Sequence, residues 1–394
     1  MRAGAEACTP SEQAGLSCDE VAETAAWLAS MQLPDGMVPW YRGGHADPWN
    51  HVEVAMALAA GGREAEVERA FAWLESTQLQ DGSWCGSYVT GGVLEPHRDT
   101  NACAYVATGT LWCALVGLGA GFLERWWPMV DRALSWCLHQ QLGGGEVAWS
   151  VGPDGVRSNW ALLAASSSVY LSLRCAGEIA RLVGSDPSRF ERAACGVAAA
   201  VQREAGAERQ ATRGADGSYR YLALPGSAGG DHRAGGPACE PGARRPSFAR
   251  KDRWAMDWYY PALTGALARP AGRRRLLERR PEFVVPDLGV RCVSDRFWVT
   301  AAETAEAAMA AWRVGLFSDA MRLAQCARHF RHPSGAYWTG CAHPECRRFP
   351  GGQLSTYSAG AVLIADHVLN QRSEAAKIFS GAGEDLRGTI LSPP

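Results

Sequence analysis

No stretch of this 394-residue chain makes a clean membrane span. The longest apolar run, Ala104 to Phe122, is broken by Gly109, Gly117, Gly119 and Gly121, which suits a packed inner helix better than a segment crossing lipid. The first fifteen residues lack the apolar core of a secretory leader. Neither sign of charge dominates: the formal net charge is −2 and charged residues are 20% of the chain, so there is no electrostatic footprint for nucleic acid. Short basic runs, Arg273 to Arg275 and Arg279-Arg280, read as a solvated helix face. The thirteen cysteines are odd in number and scattered through apolar helical stretches (Cys103, Cys113, Cys137, Cys175, Cys195). They form no disulfide framework, and reduced, buried thiols in a cytoplasmic protein are expected. The glycines at 143–145 and 226–230 lack the strand-to-helix setting of a phosphate loop. Ser166, Ser167 and Ser168 have no nucleophile elbow around them and read as close helix packing.

Apolar residues are plentiful at 47%, and there are sixteen tryptophans. Many of those tryptophans fall in a repeat. Trp73, Gln78, Asp81, Gly82 and Trp84 form an amphipathic helix end, a glutamine stop, a tight turn and a second aromatic. Trp27, Gln32, Asp35, Gly36 and Trp40 follow the same order, as do Trp136, Gln141, Gly145 and Trp149. Worn copies run through Asp216, Gly217, Ser218 and Tyr219, and through His329, Phe330, Ser334, Gly335, Tyr337 and Trp338. Repetition of this kind marks stacked supersecondary units. The glutamine can bond backbone carbonyls at the helix end, and glycine supplies the positive φ of the stop. The unit staples neighbouring helices and carries no chemistry of its own.

The phrase resembles the QW repeat of squalene–hopene cyclases and the prenyltransferase superfamily. Three further phrases, Gly43 to Glu53, Asp252 to Pro261 and Phe349 to Gly352, resemble actinobacterial prenyltransferase-like proteins. The resemblance implies an all-α, α/α-toroid fold. Helical periodicity places outer helices near 19–32, 64–78, 124–141, 186–205, 271–280 and 317–330. Inner helices fall near 48–60, 99–118, 158–182, 253–268, 299–314 and 355–370, giving six hairpins in a ring. The toroid is expected over 17–375, with loose ends at 1–16 and 376–394 and a Gly/Pro/Arg-rich loop at 225–248.

Inner-helix starts converge on one mouth, which would gather Asp47, Asp99, Asp252, Asp257 and Asp295 with His45, His51 and His97. An acid-initiated carbocation cyclisation needs a protonated carboxyl and aromatic walls. The resemblance thus implies a terpenoid-cyclase-like or prenyl-chain-handling enzyme acting on an isoprenoid or lipid. Asp257 is the expected acid and Asp99 its second or orienter. Trp49, Trp254, Trp258, Tyr259, Tyr260 and Trp298 would form the walls, with His45, Asp47 and Asp295 at the rim. The family's Asp-x-Asp-Asp-Thr acid motif is degenerate here: Pro96-His97-Arg98-Asp99-Thr100 puts Arg98 at the proton donor's place, and arginine stays protonated.

Other readings stand beside this one. A toroid without its acid would bind an isoprenoid non-catalytically, and peripheral contact with a membrane would suit either version. Cys341, His343 and Cys346 offer zinc-like ligands within six residues, as a zinc-dependent prenyltransferase would need. No cofactor is expected otherwise, zinc or magnesium being the only candidates. Six-hairpin toroids also process glycans with paired carboxylates, for which Asp257 with Asp295, or Asp47 with Asp99, could serve.

Overall fold

The computed structural model describes residues 15–212, 248–249 and 251–381. The worn repeat at 216–219, most of the 225–248 segment, and the chain ends before 15 and beyond 381 lie outside the described residues. The chain is mostly helical, an α/α toroid.

Six helical layers line the centre. They are α2 (Pro48–Ala60), α4 and α5 (Thr100–Ala104 and Val106–Cys113), α7 (Leu163–Leu182), α9 (Ala255–Leu263), α11 (Ala301–Arg313) and α13 (Thr356–Leu369). Each packs on the next in that order, and α13 closes back on α2. Consequently α5 stands opposite α11, and α7 opposite α13. Outside them run α1 (Cys18–Met31), α3 (Glu64–Thr77), α6 (Gly119–His139), α8 (Ser188–Thr212), α10 (Arg269–Phe283) and α12 (Phe317–Arg328). The inner helices are crowded on all sides: every residue of α2 from Pro48 to Ala59 is buried, and α11 buries seven alanines. Small residues allow that crowding. A Cβ on Gly109 of α5 would stand 2.3 Å from Val52 of α2. Thr100–His139 is long and apolar enough to cross a membrane, yet 67% of its apolar window is buried inside the protein. Gly117, at φ 158, breaks the run into an inner and an outer part.

The repeat explains the outer ring. Gln32 caps α1 and donates its amide to Gly36 O (3.1 Å) and to Glu66 O of α3 (2.9 Å), while Arg69 donates back to Gln32 (3.1 Å). Gln78 does the same one unit on, to Gly82 O and to Met129 O of α6, and Arg132 returns the bond. Gln141 bonds Gly145 O and Ala193 O of α8. The turn glycine in each described unit lies against the following outer helix. A Cβ on Gly82 would stand 2.4 Å from Arg132 O, and one on Gly145 2.4 Å from Gly196 O. Gly335, in the last unit, packs in the same way on Glu23 of α1, so the repeat also closes the ring.

Strands decorate the mouth at which the inner helices begin. β1 (Ser87–Val89) and β2 (Gly92–Glu95) form a hairpin, and β3 (Arg98–Asp99) pairs with β4 (Ser150–Val151). β5 (Val284–Val285), β6 (Gly289–Arg291), β7 (Trp298–Thr300), β8 (Trp338–Ala342) and β9 (Arg347–Leu354) make an antiparallel sheet in chain order. The folded body extends past the expected boundaries at both ends. Leu16 is buried with its N–H on Asp366 (2.6 Å). The short α14 (Lys377–Ser380) buries Ile378 and Phe379.

Candidate active site

The mouth is bounded by the residues that precede the inner helices. Asp47 caps α2: its carboxylate accepts Asn50 N–H (3.0 Å), Asn50 Nδ2 (2.7 Å) and Trp40 Nε1 (2.5 Å). Asp99 caps α4 by accepting Ala102 N–H at 2.9 Å. Burial pushes the Asp99 carboxyl above the ordinary aspartate range, against that bond. Asp47 is near enough for its charge to add to the rise.

Beneath the rim lies a cluster of acids and tyrosines. Glu306 of α11 accepts from the hydroxyls of Tyr259, of Tyr260 (2.9 Å) and of Tyr357 (3.4 Å), which come from α9 and α13. Burial pushes Glu306 up to about 8, and the charge of Glu303 one turn earlier adds to it, while the tyrosine bonds oppose the rise. Glu53 of α2 is raised well above its usual range by burial first, then by Glu306, Asp47 and Glu303. Its Oε2 is buried without a hydrogen-bond partner. Glu303 is half-buried at the first turn of α11, and burial raises its carboxyl above the ordinary glutamate range. Trp49 stacks on Tyr105 (centroids 4.9 Å apart) and touches Tyr260 and Tyr357. Trp49 Nε1 and Asn101 Oδ1 are buried and unpartnered like Glu53 Oε2. Buried polar atoms of this kind are expensive unless something bonds them. Their concentration at one mouth fits a ligand that carries hydroxyls.

Several expected wall residues face elsewhere. Trp258 turns outward, stacking on Phe283 (5.1 Å, 11°) and donating Nε1 to Leu276 O of α10. Asp257 is buried, with Oδ1 accepting Ala164 N–H at the start of α7 (3.0 Å), while Arg275 holds the Asp257 carbonyl (2.8 Å). Asp295 is exposed beside Arg253 (3.3 Å), so Asp257 and Asp295 make no pair. Trp254 is 41% exposed at the rim, and Trp298 stacks on Phe349. Tyr259 and Tyr260 do face the centre, but as hydrogen-bond donors to a carboxyl. His45 lies against Trp40 (5.0 Å) at the edge. His51 is buried between Val38 N–H and Ala70 O and is pushed down to about 4 by burial, so it is a neutral structural group. Arg98 binds Asp81 and Gly152 O away from the cluster.

Cys341 is buried on β8 and Cys346 is exposed in the turn to β9. Among the described residues no three His, Cys, Asp or Glu side chains converge to hold a metal ion. Asp47 and Asp99 are within electrostatic reach of one another, whereas Glu53, Glu303 and Glu306 escaped sequence reasoning. Glu303 and Glu306 sit in an alanine-rich helix that reads as plain packing, and Glu53 follows Asp47 inside an apolar helix. One available signal was an i, i+3 pair of glutamates on a helix otherwise nearly all small and buried.

The chain is 35% identical over 367 residues to the MMP endo-(1,4)-3-O-methyl-α-D-mannosidase of Mycolicibacterium hassiacum, an alignment covering 93% of this chain and 90% of that protein. The chain belongs to that mannosidase's family. Searched against family models, the sequence matches none. Solved structures with the same fold include a D-mannose isomerase (TM-score 0.64, 10% identity, covering 92% of this chain and all of that one). A wild-type glycosidase gives TM-score 0.60 at 14% identity, covering 90% and 99%. An α-amylase from Clostridium perfringens gives 0.55 at 8%, covering 89% and 98%.

Membership of the endo-mannosidase family corrects the resemblance to squalene–hopene cyclases and prenyltransferases. In this chain the glutamines of the QW-like phrase staple neighbouring outer helices and bond none of the acids at the mouth. The terpenoid-cyclase, prenyl-handling, isoprenoid-binding and zinc-prenyltransferase readings fall with it, as does an isoprenoid or lipid partner. The site gives the physical reason. A migrating carbocation needs walls that will not trap it, whereas this centre holds carboxyls and tyrosine hydroxyls at close quarters.

Proposed function

We propose that this protein hydrolyses internal α-(1→4) linkages of a 3-O-methylated mannose chain, in the cytoplasm and without a metal. The observation that carries the proposal is the group of acids at the mouth, Asp47, Glu53, Glu303 and Glu306, in a chain of the endo-mannosidase family. Glycoside hydrolysis divides its work between one carboxyl that keeps its proton and one that does not. Glu303 and Asp47 are the half-exposed members, so they can touch a substrate.

Glu303 is the general acid: burial raises its proton affinity, the direction that suits a carboxyl giving its proton to the bridging oxygen as the C1–O bond breaks. Asp47 is the general base. Trp40 and Asn50 fix the orientation of its carboxylate. It takes the proton of a water whose oxygen bonds to C1, and the released sugar leaves with the proton from Glu303. Glu306 and Glu53 lie below, buried, and Glu306 braces the hydroxyls of Tyr259, Tyr260 and Tyr357 under the site. Asp257, tied to α7 and α10, holds the wall in place.

The test is direct. An α-(1→4)-linked 3-O-methylmannose oligosaccharide should yield new reducing ends with the wild type. Glu303→Gln and Asp47→Asn should each lower kcat by about 10²–10⁴-fold at an unchanged melting temperature, the usual weight of a general acid or base. Absence of cleavage by the wild type, or full activity in both variants, would overturn the assignment.

A further inference from the structure

Two stacked aromatic pairs stand on opposite sides of the mouth. Trp149 and Trp160 stack at 5.0 Å and 17°, tied by Trp149 N–H on Trp160 O (3.1 Å) and by Thr100 N–H on Trp149 O (3.0 Å). That places them at the start of α4. Trp298 and Phe349 stack at 4.6 Å and 11° on β7 and β9, and Trp298 lies two residues before the Thr300 cap of α11. Because α5, which continues α4, and α11 face each other across the ring, the acid cluster lies between the two pairs. All four rings are half-buried, and neither pair is covered as core aromatics are.

Close in sequence to each pair is an exposed apolar side chain. Val156 is 66% exposed in the turn after β4, and Phe297, next to Trp298, is 66% exposed. Exposed large apolar groups need no explanation singly, but a concentration around one opening marks a binding surface. Here six of the eight among the described residues are on segments leading into inner helices, the others being Val89, Val93, Leu94 and Trp254; Leu277 and Phe317 alone lie on outer helices.

We infer that the Trp149/Trp160 and Trp298/Phe349 pairs are sugar-binding platforms on either side of the cleavage point, with Val156 and Phe297 receiving the O-methyl groups of the chain. The inference rests on the proposed hydrolysis and adds to it where the chain lies and what reads its methylation. A pyranose presents an apolar C–H face that stacks on an aromatic ring. Methylation of a hydroxyl removes a donor and adds a small apolar group, which gains from contact with an exposed valine or phenylalanine and not with a charged rim. Platforms on both sides of the acids hold a chain that continues past the site in both directions, the arrangement internal cleavage requires.

The experiment uses the full-length chain carrying Glu303→Gln, so that binding is read without turnover. Calorimetric titrations compare a long α-(1→4)-3-O-methylmannose oligosaccharide, its unmethylated counterpart and a disaccharide. Trp160→Ala and Trp298→Ala should each weaken the long chain about tenfold or more and leave the disaccharide unchanged. Phe297→Ser and Val156→Ser, both at exposed positions that folding tolerates, should weaken the methylated chain alone, by roughly tenfold for one lost methyl contact. Equal losses on long and short ligands, or no loss, would overturn the platforms. Equal affinity of the parent for methylated and unmethylated chains would overturn the methyl reading. Failure of the unsubstituted enzyme to hydrolyse a chain that binds in the stated pattern would sink the hydrolase proposal and leave the platforms standing.

Discussion

Tyr260 of α9 donates its hydroxyl to Oε1 of Glu306 on α11 at 2.9 Å, so the seam between two inner helices is closed by a polar bond at the bottom of the mouth. Tyr259 and Tyr357 reach the same carboxyl, and burial holds Glu306 up at about 8. An acid so placed reports on pH, on stability and on the site at once.

Glu306 is the first case. Its folded-state proton affinity lies above the unfolded value, so the folded protein binds the extra proton between about pH 4.5 and about 8. Its contribution to stability is therefore fully present below pH 4.5 and is lost as pH rises through 8. Thermal melts from pH 5 to 8.5 should show a falling Tm in the wild type and a flatter profile in Glu306→Gln. An identical slope in both proteins would place the titration elsewhere.

Glu53 carries a buried oxygen with no partner and sits among three other acids. Replacing its carboxyl with an amide removes the like-charge repulsion at little change in volume. Glu53→Gln should unfold at higher urea concentration than the wild type at pH 8, because the amide carries no charge to repel Glu306, Asp47 and Glu303. Activity on the methylated mannan should fall at the same time. A variant less stable than the wild type would show that the carboxylate is satisfied.

The repeat glutamines predict the opposite division. Gln78→Ala removes the bonds to Gly82 O and Met129 O and strands Arg132, at a cost of about 1–3 kcal/mol in urea denaturation. It should leave kcat within twofold, since the staple lies in the outer ring. A large drop in kcat with unchanged stability would assign the repeat a chemical role.

Gly82 tests the backbone half of the same device. It holds φ +94 with Arg132 O only 2.4 Å from where a Cβ would be. Gly82→Ala combines a left-handed cost of about 1–2 kcal/mol with a clash against fixed backbone. The expected result is a destabilisation exceeding that of Gln78→Ala, read on the same denaturation curves.

The ring is written into the local pattern of the chain. Its six hairpins were legible because inner helices must be small and apolar and outer ones amphipathic, and because Gln32, Gln78 and Gln141 recur at fixed offsets from their turn glycines. Those are local signals, complete within about fifteen residues. The same repeat misled on chemistry, since a staple between outer helices is indifferent to what the ring encloses. Asp47 and Asp99 could be placed at the mouth from their capping positions. Asp257 and Trp258 could not be told apart from site residues, because neighbouring positions on one helix turn face the axis or the outer layer according to a rotation that packing alone fixes. Glu53, Glu303 and Glu306 lie up to 253 residues apart in the chain, and only closure of the ring brings them together. Their raised proton affinities arise from that burial and mutual proximity, which no single segment contains.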